Sequence, residues 1–203
     1  MKLPYKIREL AEAVRSSLSS PYTVRYPFEP SPAPDGFRGK PQFDEAKCMG
    51  CGACVEGCPT GALTLTDEGN VRIIELFYGR CIMCGQCVER CPVEAIKLTT
   101  EYSIVYTAKE EALTSIRRTL VCCEICGTPI TTLEHLKWIT EKLGELALSN
   151  STLVAVMQDL ALGKTPTRAP KAKEIDRSDI IRVLCHKCRR RAMAVDHGWR
   201  AKY

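Results

Sequence analysis

The sequence predicts an α+β chain organised around a duplicated cysteine core, on three observations. The run C-x2-C-x2-C-x3-C-P occurs twice, from Cys48 and again from Cys81, at an offset of 33 residues. Each copy is followed by apolar residues at alternate positions, the spacing of a strand. Beyond Ala108 the apolar residues fall at helical spacing instead.

The two copies read CMGCGACVEGCP and CIMCGQCVERCP. Thiolates are soft ligands, and a cubane iron–sulfur cluster takes four of them in this spacing. Three cysteines at three-residue intervals wrap one face of a cluster, and the fourth, before proline, reaches across to the other. One [4Fe–4S] cluster is therefore expected on Cys48, Cys51, Cys54 and Cys91, and a second on Cys81, Cys84, Cys87 and Cys58. Structural zinc at these positions would leave the third cysteine and the Cys-Pro of each run unexplained. Disulfides among cysteines this crowded would be strained. The expected architecture is a bacterial-type 2[4Fe–4S] ferredoxin core with an N-terminal arm and a helical C-terminal extension that carries a zinc-ribbon-like site. The domain limits follow as 1–36, 37–107 and 108–203.

Composition sets the frame. Of 203 residues only 6% are aromatic, so a small core would rely on its clusters as staples. Thirteen cysteines without an export signal argue for a reducing compartment, and no apolar run approaches a membrane span. The formal charge of +5 is uneven: residues 48–108 carry 4 basic and 7 acidic side chains, residues 109–203 carry 17 and 11. The basic tail reads as a solvated face or a docking surface for an acidic subunit.

Residues 3–18 place Leu3, Ile7, Leu10, Ala11, Val14 and Leu18 on one helical stripe, for packing on a partner, on this chain's own core or on a membrane surface. The prolines at 21, 27, 30, 32, 34 and 41 then exclude regular helix. Tyr22, Tyr26, Phe28 and Phe37 suit an arm laid along another protein, with a linker on its own domain as the alternative. After Cys58-Pro59, residues 62–66 and Val71–Leu76 read as a hairpin turned at 67–70. After the second run, Ala95–Thr99 and Tyr102–Thr107 read as its counterpart. Lys109–Thr119, Thr132–Leu148 and Ser151–Leu162 are helix candidates, the last closed by Gly163. The stripe Leu133, Leu136, Ile139, Leu143 and Leu146 is a packing face, and residues 165–173 form a linker.

Cys123-x2-Cys126-Gly-x-Pro is a knuckle motif, and Cys185-x2-Cys188 supplies a second pair. Together they make a tetrahedral four-sulfur site whose usual occupant is zinc, with a third iron–sulfur cluster, a single iron or no metal as the alternatives. Cys122 is spare or replaces Cys123, His186 is exposed between ligands, and His135 and His197 have no motif around them. Arg189–Arg191 beside a ribbon also fits nucleic-acid modules, but two redox clusters argue for no nucleic-acid partner. The chain has no catalytic acid–base pair, nucleophile or nucleotide loop.

The FRGKP of Phe37–Pro41 and the paired cysteine runs resemble the two-cluster ferredoxin subunit of respiratory complex I and its hydrogenase relatives. The extension with C-x2-C-G-x-P and a late C-x2-C is similar to the iron–sulfur subunit of formate hydrogenlyase and related group 4 membrane-bound [NiFe] hydrogenases. The resemblance covers residues 1–135 and 180–190. It implies an electron wire, not a catalyst, between an iron–sulfur donor and hydrogenase small and large subunits or complex I-like subunits; a free ferredoxin shuttling between soluble enzymes is the alternative, against which the arm and the knuckle pairs speak. It further implies a place on the cytoplasmic face of the membrane, held there by partner subunits.

Overall fold

The computed structural model describes residues 5–21, 23–164 and 181–196. It divides into two units, residues 1–37 and 38–203. The first unit holds helix α1 (Tyr5–Leu18), where expected, with Ile7, Leu10, Val14 and Leu18 exposed. The arm that follows forms no helix or strand among its described residues.

In the second unit, strand β1 (Pro41–Phe43) leads into the first cysteine loop and the four-residue helix α2 (Ala53–Glu56). Strands β2 (Leu63–Glu68) and β3 (Val71–Phe77) make the expected hairpin around Gly69-Asn70. The second loop and helix α3 (Gln86–Glu89) repeat the first, and strand β4 (Ile96–Leu98) closes the core. Both short helices start from a left-handed glycine, Gly52 at φ 83° and Gly85 at φ 81°, a conformation glycine adopts at no steric cost.

The second half builds no hairpin of its own. Strand β4 pairs antiparallel with β1 from before the first loop, Phe43 opposite Ile96, and residues 102–107 form no strand. Ile96 of that pair is buried, and Tyr78, in a 3-10 turn after β3, donates a hydrogen bond to the Pro41 carbonyl of β1 at 3.0 Å. Tyr106 instead stacks on Tyr78, ring centres 6.0 Å apart.

The expected helix at Lys109–Thr119 is also corrected. After one 3-10 turn the chain runs as strand β5 (Leu113–Cys122) along the free edge of β3, with Ile116 opposite Ile74. The β-branched Thr114, Ile116 and Thr119 fit a half-buried ladder better than a helix, and a waiting sheet edge overrides weak helical propensity. Strand β6 (Pro129–Thr132) completes a four-stranded sheet in the order β2-β3-β5-β6. That sheet runs from the cysteine core straight into the C-terminal region.

Helix α4 (Leu133–Leu143) stops at Gly144, short of the expected Leu148, and a 3-10 segment occupies residues 144–149. Helix α5 (Ser151–Ala161) follows, capped by the Asn150 side chain. Val121, Leu133, Leu136, Ala147, Leu153, Val156 and Val183 form one buried cluster, so the leucine stripe does pack, although Leu143 and Leu146 are exposed. Helix α6 (His186–Asp196), not foreseen, begins inside the last cysteine pair. No helix among the described residues is long and apolar enough to cross a membrane.

Candidate metal centres

The eight core cysteines form two separate sets. Cys48, Cys51, Cys54 and Cys91 line one cavity, and Cys58, Cys81, Cys84 and Cys87 line another. Each set takes three cysteines from one loop and the pre-proline cysteine from the other.

Local backbone aims each crossing thiol. After Cys-Pro the chain turns tightly, through Gly61 at φ 62° in one half and Glu94 at φ 50° in the other. That turn lets the Ala95 N–H donate to Cys91 Sγ at 3.2 Å. In the other half burial raises the Cys58 thiol, but the Leu63 N–H, the Thr60 hydroxyl and further N–H groups outweigh it and leave the group below its ordinary range. The Met83 N–H donates to Cys81 Sγ at 3.4 Å.

The inner thiols show the opposite pressure. Burial, then the neighbouring thiols Cys48, Cys51, Cys87 and Cys91, push Cys54 up to about 12. Burial, then Cys81, pushes Cys87 up to about 11. Burial and neighbouring thiols thus disfavour the anionic form of Cys54 and Cys87, and the cationic iron of a cluster would relieve both. This donor set, soft, crowded and supplied with N–H groups, fits an iron–sulfur cluster in each cavity.

A third set lies in the extension. Cys123, just past β5, and Cys126 meet Cys185, just before α6, and Cys188 in its first turn, with all four Sγ atoms within 4.8 Å of one another. Cys126 Sγ lies 3.6 Å from Cys185 Sγ. A tetrahedral ion with metal–sulfur bonds of about 2.3 Å holds its sulfurs about 3.8 Å apart, so the set fits one ion and is too tight for a cubane cluster. The Gly127 N–H bonds back to the Cys123 carbonyl and closes the knuckle turn. The Thr128 hydroxyl and N–H pull the Cys126 thiol down to about 6, while burial and the other three cysteines push Cys188 up to about 12. Cys122 is buried but outside the set, so Cys123 is the ligand candidate. His186 is exposed, and His197 lies outside the described residues. His135 bonds Thr131 Oγ1 at 2.8 Å, and burial lowers its ring below the usual range.

Sequence reasoning missed the groups that cover the first loop. Arg118 on β5 donates to the Cys48 carbonyl at 2.7 Å and to the Glu45 carbonyl. Arg72 on β3, held bidentate by Asp67 at 2.8 and 2.9 Å, reaches the Gly50 carbonyl at 3.3 Å. The Thr132 hydroxyl donates to the Met49 carbonyl while accepting from the His135 N–H, which caps α4. A signal was present in the repeat: Gly50 stands where the second copy has Met83. A Cβ at Gly50 would lie 2.9 Å from Thr132 Cγ2 and 3.1 Å from Arg118 Cγ, so the position is glycine because the extension lies on it. A groove of about 980 Å³ runs from Cys51 to Cys126, so the first loop and the third set share one concave face.

Residues 47–95 match the family described as the 4Fe-4S dicluster domain. The match falls on the duplicated core. The chain is 42% identical over 118 residues to formate hydrogenlyase subunit 6 of Escherichia coli (strain K12), covering 57% of this chain and 66% of that protein. It is 36% identical over 146 residues to NADH-quinone oxidoreductase subunit 9 of Rhodothermus marinus, covering 66% of this chain and 64% of that one. The chain thus spans just under two thirds of the length of these curated relatives. A solved structure, the membrane-bound sulfane sulfur reductase (MBS), an archaeal respiratory membrane complex, is similar at 27% identity. The TM-score there is 0.39, over 55% of this chain and 61% of that one, too low to extend to whole-chain arrangement. The resemblance read from the cysteine runs thus holds for formate hydrogenlyase and quinone oxidoreductase subunits alike.

Proposed function

We propose that this chain is an electron-transfer subunit. It relays single electrons through two [4Fe–4S] clusters between a donor module and a membrane-bound, formate hydrogenlyase-like [NiFe] hydrogenase. The observation that carries the reading is the pair of interlocked four-cysteine cavities, in a chain 42% identical to a formate hydrogenlyase subunit. When bound, the clusters would supply one-electron carriers within a single rigid core. The chain's own residues hold them: Cys48, Cys51, Cys54 and Cys91 on one, Cys58, Cys81, Cys84 and Cys87 on the other. The chain is not catalytic alone, because its functional side chains are thiols committed as ligands.

In this reading Cys123, Cys126, Cys185 and Cys188 hold zinc as a structural tie. The metal would join the hairpin loop between β5 and β6 to α6 and close the extension. The 36% identity to a quinone oxidoreductase subunit supports a second reading, the equivalent subunit of a complex I-type enzyme. In both readings the subunit attaches to the membrane through its partners, and Leu10, Leu18 and Phe28 of the first unit are exposed apolar groups available for that docking.

Anaerobic affinity purification from the native host separates these readings. Co-purification with nickel and a hydrogenase large subunit is the expected result. A quinone-reducing complex without nickel would move the answer to the second reading, and a chain that purifies alone would overturn both.

A further inference from the structure

The two cavities differ in what surrounds them. The loop of the Cys48 set is covered by β3, β5 and β6, and Met49 in it is buried. The corresponding Ile82 of the Cys81 set is 64% exposed. A cluster in the covered cavity gains negative charge on reduction with less water to stabilise it, so burial alone makes it the harder of the two to reduce. Yet the covering elements bring cations. The Arg118 guanidinium sits on the carbonyls of Cys48, Glu45 and Arg117, and Arg72 sits on the carbonyl of Gly50, directly before Cys51. Asp67 partly offsets Arg72, whereas the Arg118 contacts are all to neutral carbonyls. Among the described residues the second loop receives one comparable contact, from the exposed Arg38 to the Cys84 carbonyl at 3.4 Å, which water screens.

We propose that Arg118, assisted by Arg72, is an electrostatic positioning residue for the cluster site of Cys48, Cys51, Cys54 and Cys91. It raises the reduction potential of that site and offsets its deeper burial. The step concerned is uptake of one electron, from a low-potential one-electron donor, that takes a [4Fe–4S] centre from the 2+ to the 1+ state. The added negative charge is then stabilised by guanidinium groups a few bonds from the ligand sulfurs. The two sites are thereby kept close enough in potential to exchange electrons in either direction. The inference rests on the reading that both cavities hold [4Fe–4S] clusters. Iron and sulfide counts on each variant test that reading separately, before any potential is measured.

The test is a dithionite titration of the full, cluster-loaded chain, followed by electron paramagnetic resonance, on the native protein and on Arg118→Gln, Arg118→Lys, Arg72→Gln and Thr132→Val. With about eight iron per chain retained, Arg118→Gln is expected to lower the midpoint of one signal and leave the other in place. The affected signal is the one absent from Cys91→Ala. Arg118→Lys keeps the charge and should restore most of the midpoint, and Arg72→Gln should shift the same signal by less. Thr132→Val loosens the same loop without touching charge and should leave both midpoints unchanged. If Arg118→Gln does not load, Arg72→Gln carries the test alone. Unchanged midpoints, equal shifts of both signals, or a Thr132→Val shift as large as that of the arginine variants would each overturn the proposal.

Discussion

The two halves of the cysteine core descend from one pattern and have been put to different use. Met49 and Ile82 occupy the same place in the repeat, yet the first is 4% exposed and the second 64%. Gly50 and Met83 likewise correspond, and both have positive φ, 69° and 52°. In the first half that conformation is occupied by glycine because Thr132 and Arg118 press on it; in the second, a half-buried methionine adopts it. The comparison shows how a symmetric motif acquires direction: the chain appended after it covers one loop and leaves Ile82 of the other exposed.

The largest expected effect tests the crossing itself. Cys91→Ala should remove the cluster of the first set, lowering iron from about eight to about four per chain, although Cys91 lies in the second run. Persistence of the Arg118-sensitive signal in that variant would show that Cys91 serves its own run.

Next comes the cover on the first loop. Met49→Ala should destabilise the loaded protein by about 2–5 kcal/mol through the cavity it leaves, while Ile82→Ala stays within about 0.5 kcal/mol. Chemical denaturation under anaerobic conditions measures both. Equal costs would mean that the two loops are equally covered. The Gly50→Ala and Met83→Gly pair sharpens the point. The first should cost about 1–3 kcal/mol from a left-handed alanine crowded by Thr132, and the second should be close to neutral. A Gly50→Ala protein as stable as the native one would remove the close approach of β6.

The smallest effect is electrostatic. Burial first, then Arg72, holds the His135 ring below its ordinary pKa, so folding favours the neutral ring. Its contribution is complete above the pKa of a free histidine and is lost as pH falls toward the folded value. Stability should therefore decline on mild acidification, and His135→Gln should flatten that part of the profile. An unaltered profile would assign the acid sensitivity elsewhere.

The cysteine core was legible because thiolate spacing is dictated by the geometry of what it binds. Cys58 and Cys91, each followed by proline, line the cavity of the opposite run. The third set was legible too, since Cys123, Cys126, Cys185 and Cys188 are knuckle pairs whatever lies between them. The path between those motifs was not. The stretch Lys109–Thr119 reads locally as helix, because Glu110, Glu111 and Ala112 favour one, but those three form only the 3-10 turn before β5, where β-branched residues meet the free edge of β3. Strand β4 takes β1 as partner for the same reason: pairing at long range is settled by exposed edges, which local pattern does not reveal. The cover on the first loop was hidden because an arginine bound to a carbonyl leaves no periodic trace. Its one mark was a glycine where the repeat has methionine.

The central claim is that two interlocked cysteine sets each hold a four-iron cluster while the third holds a single ion. Metal and sulfide analysis of the protein purified anaerobically tests it most directly. The account predicts about eight iron, about eight acid-labile sulfide and about one zinc per chain. Four iron, or twelve with no zinc, would contradict it.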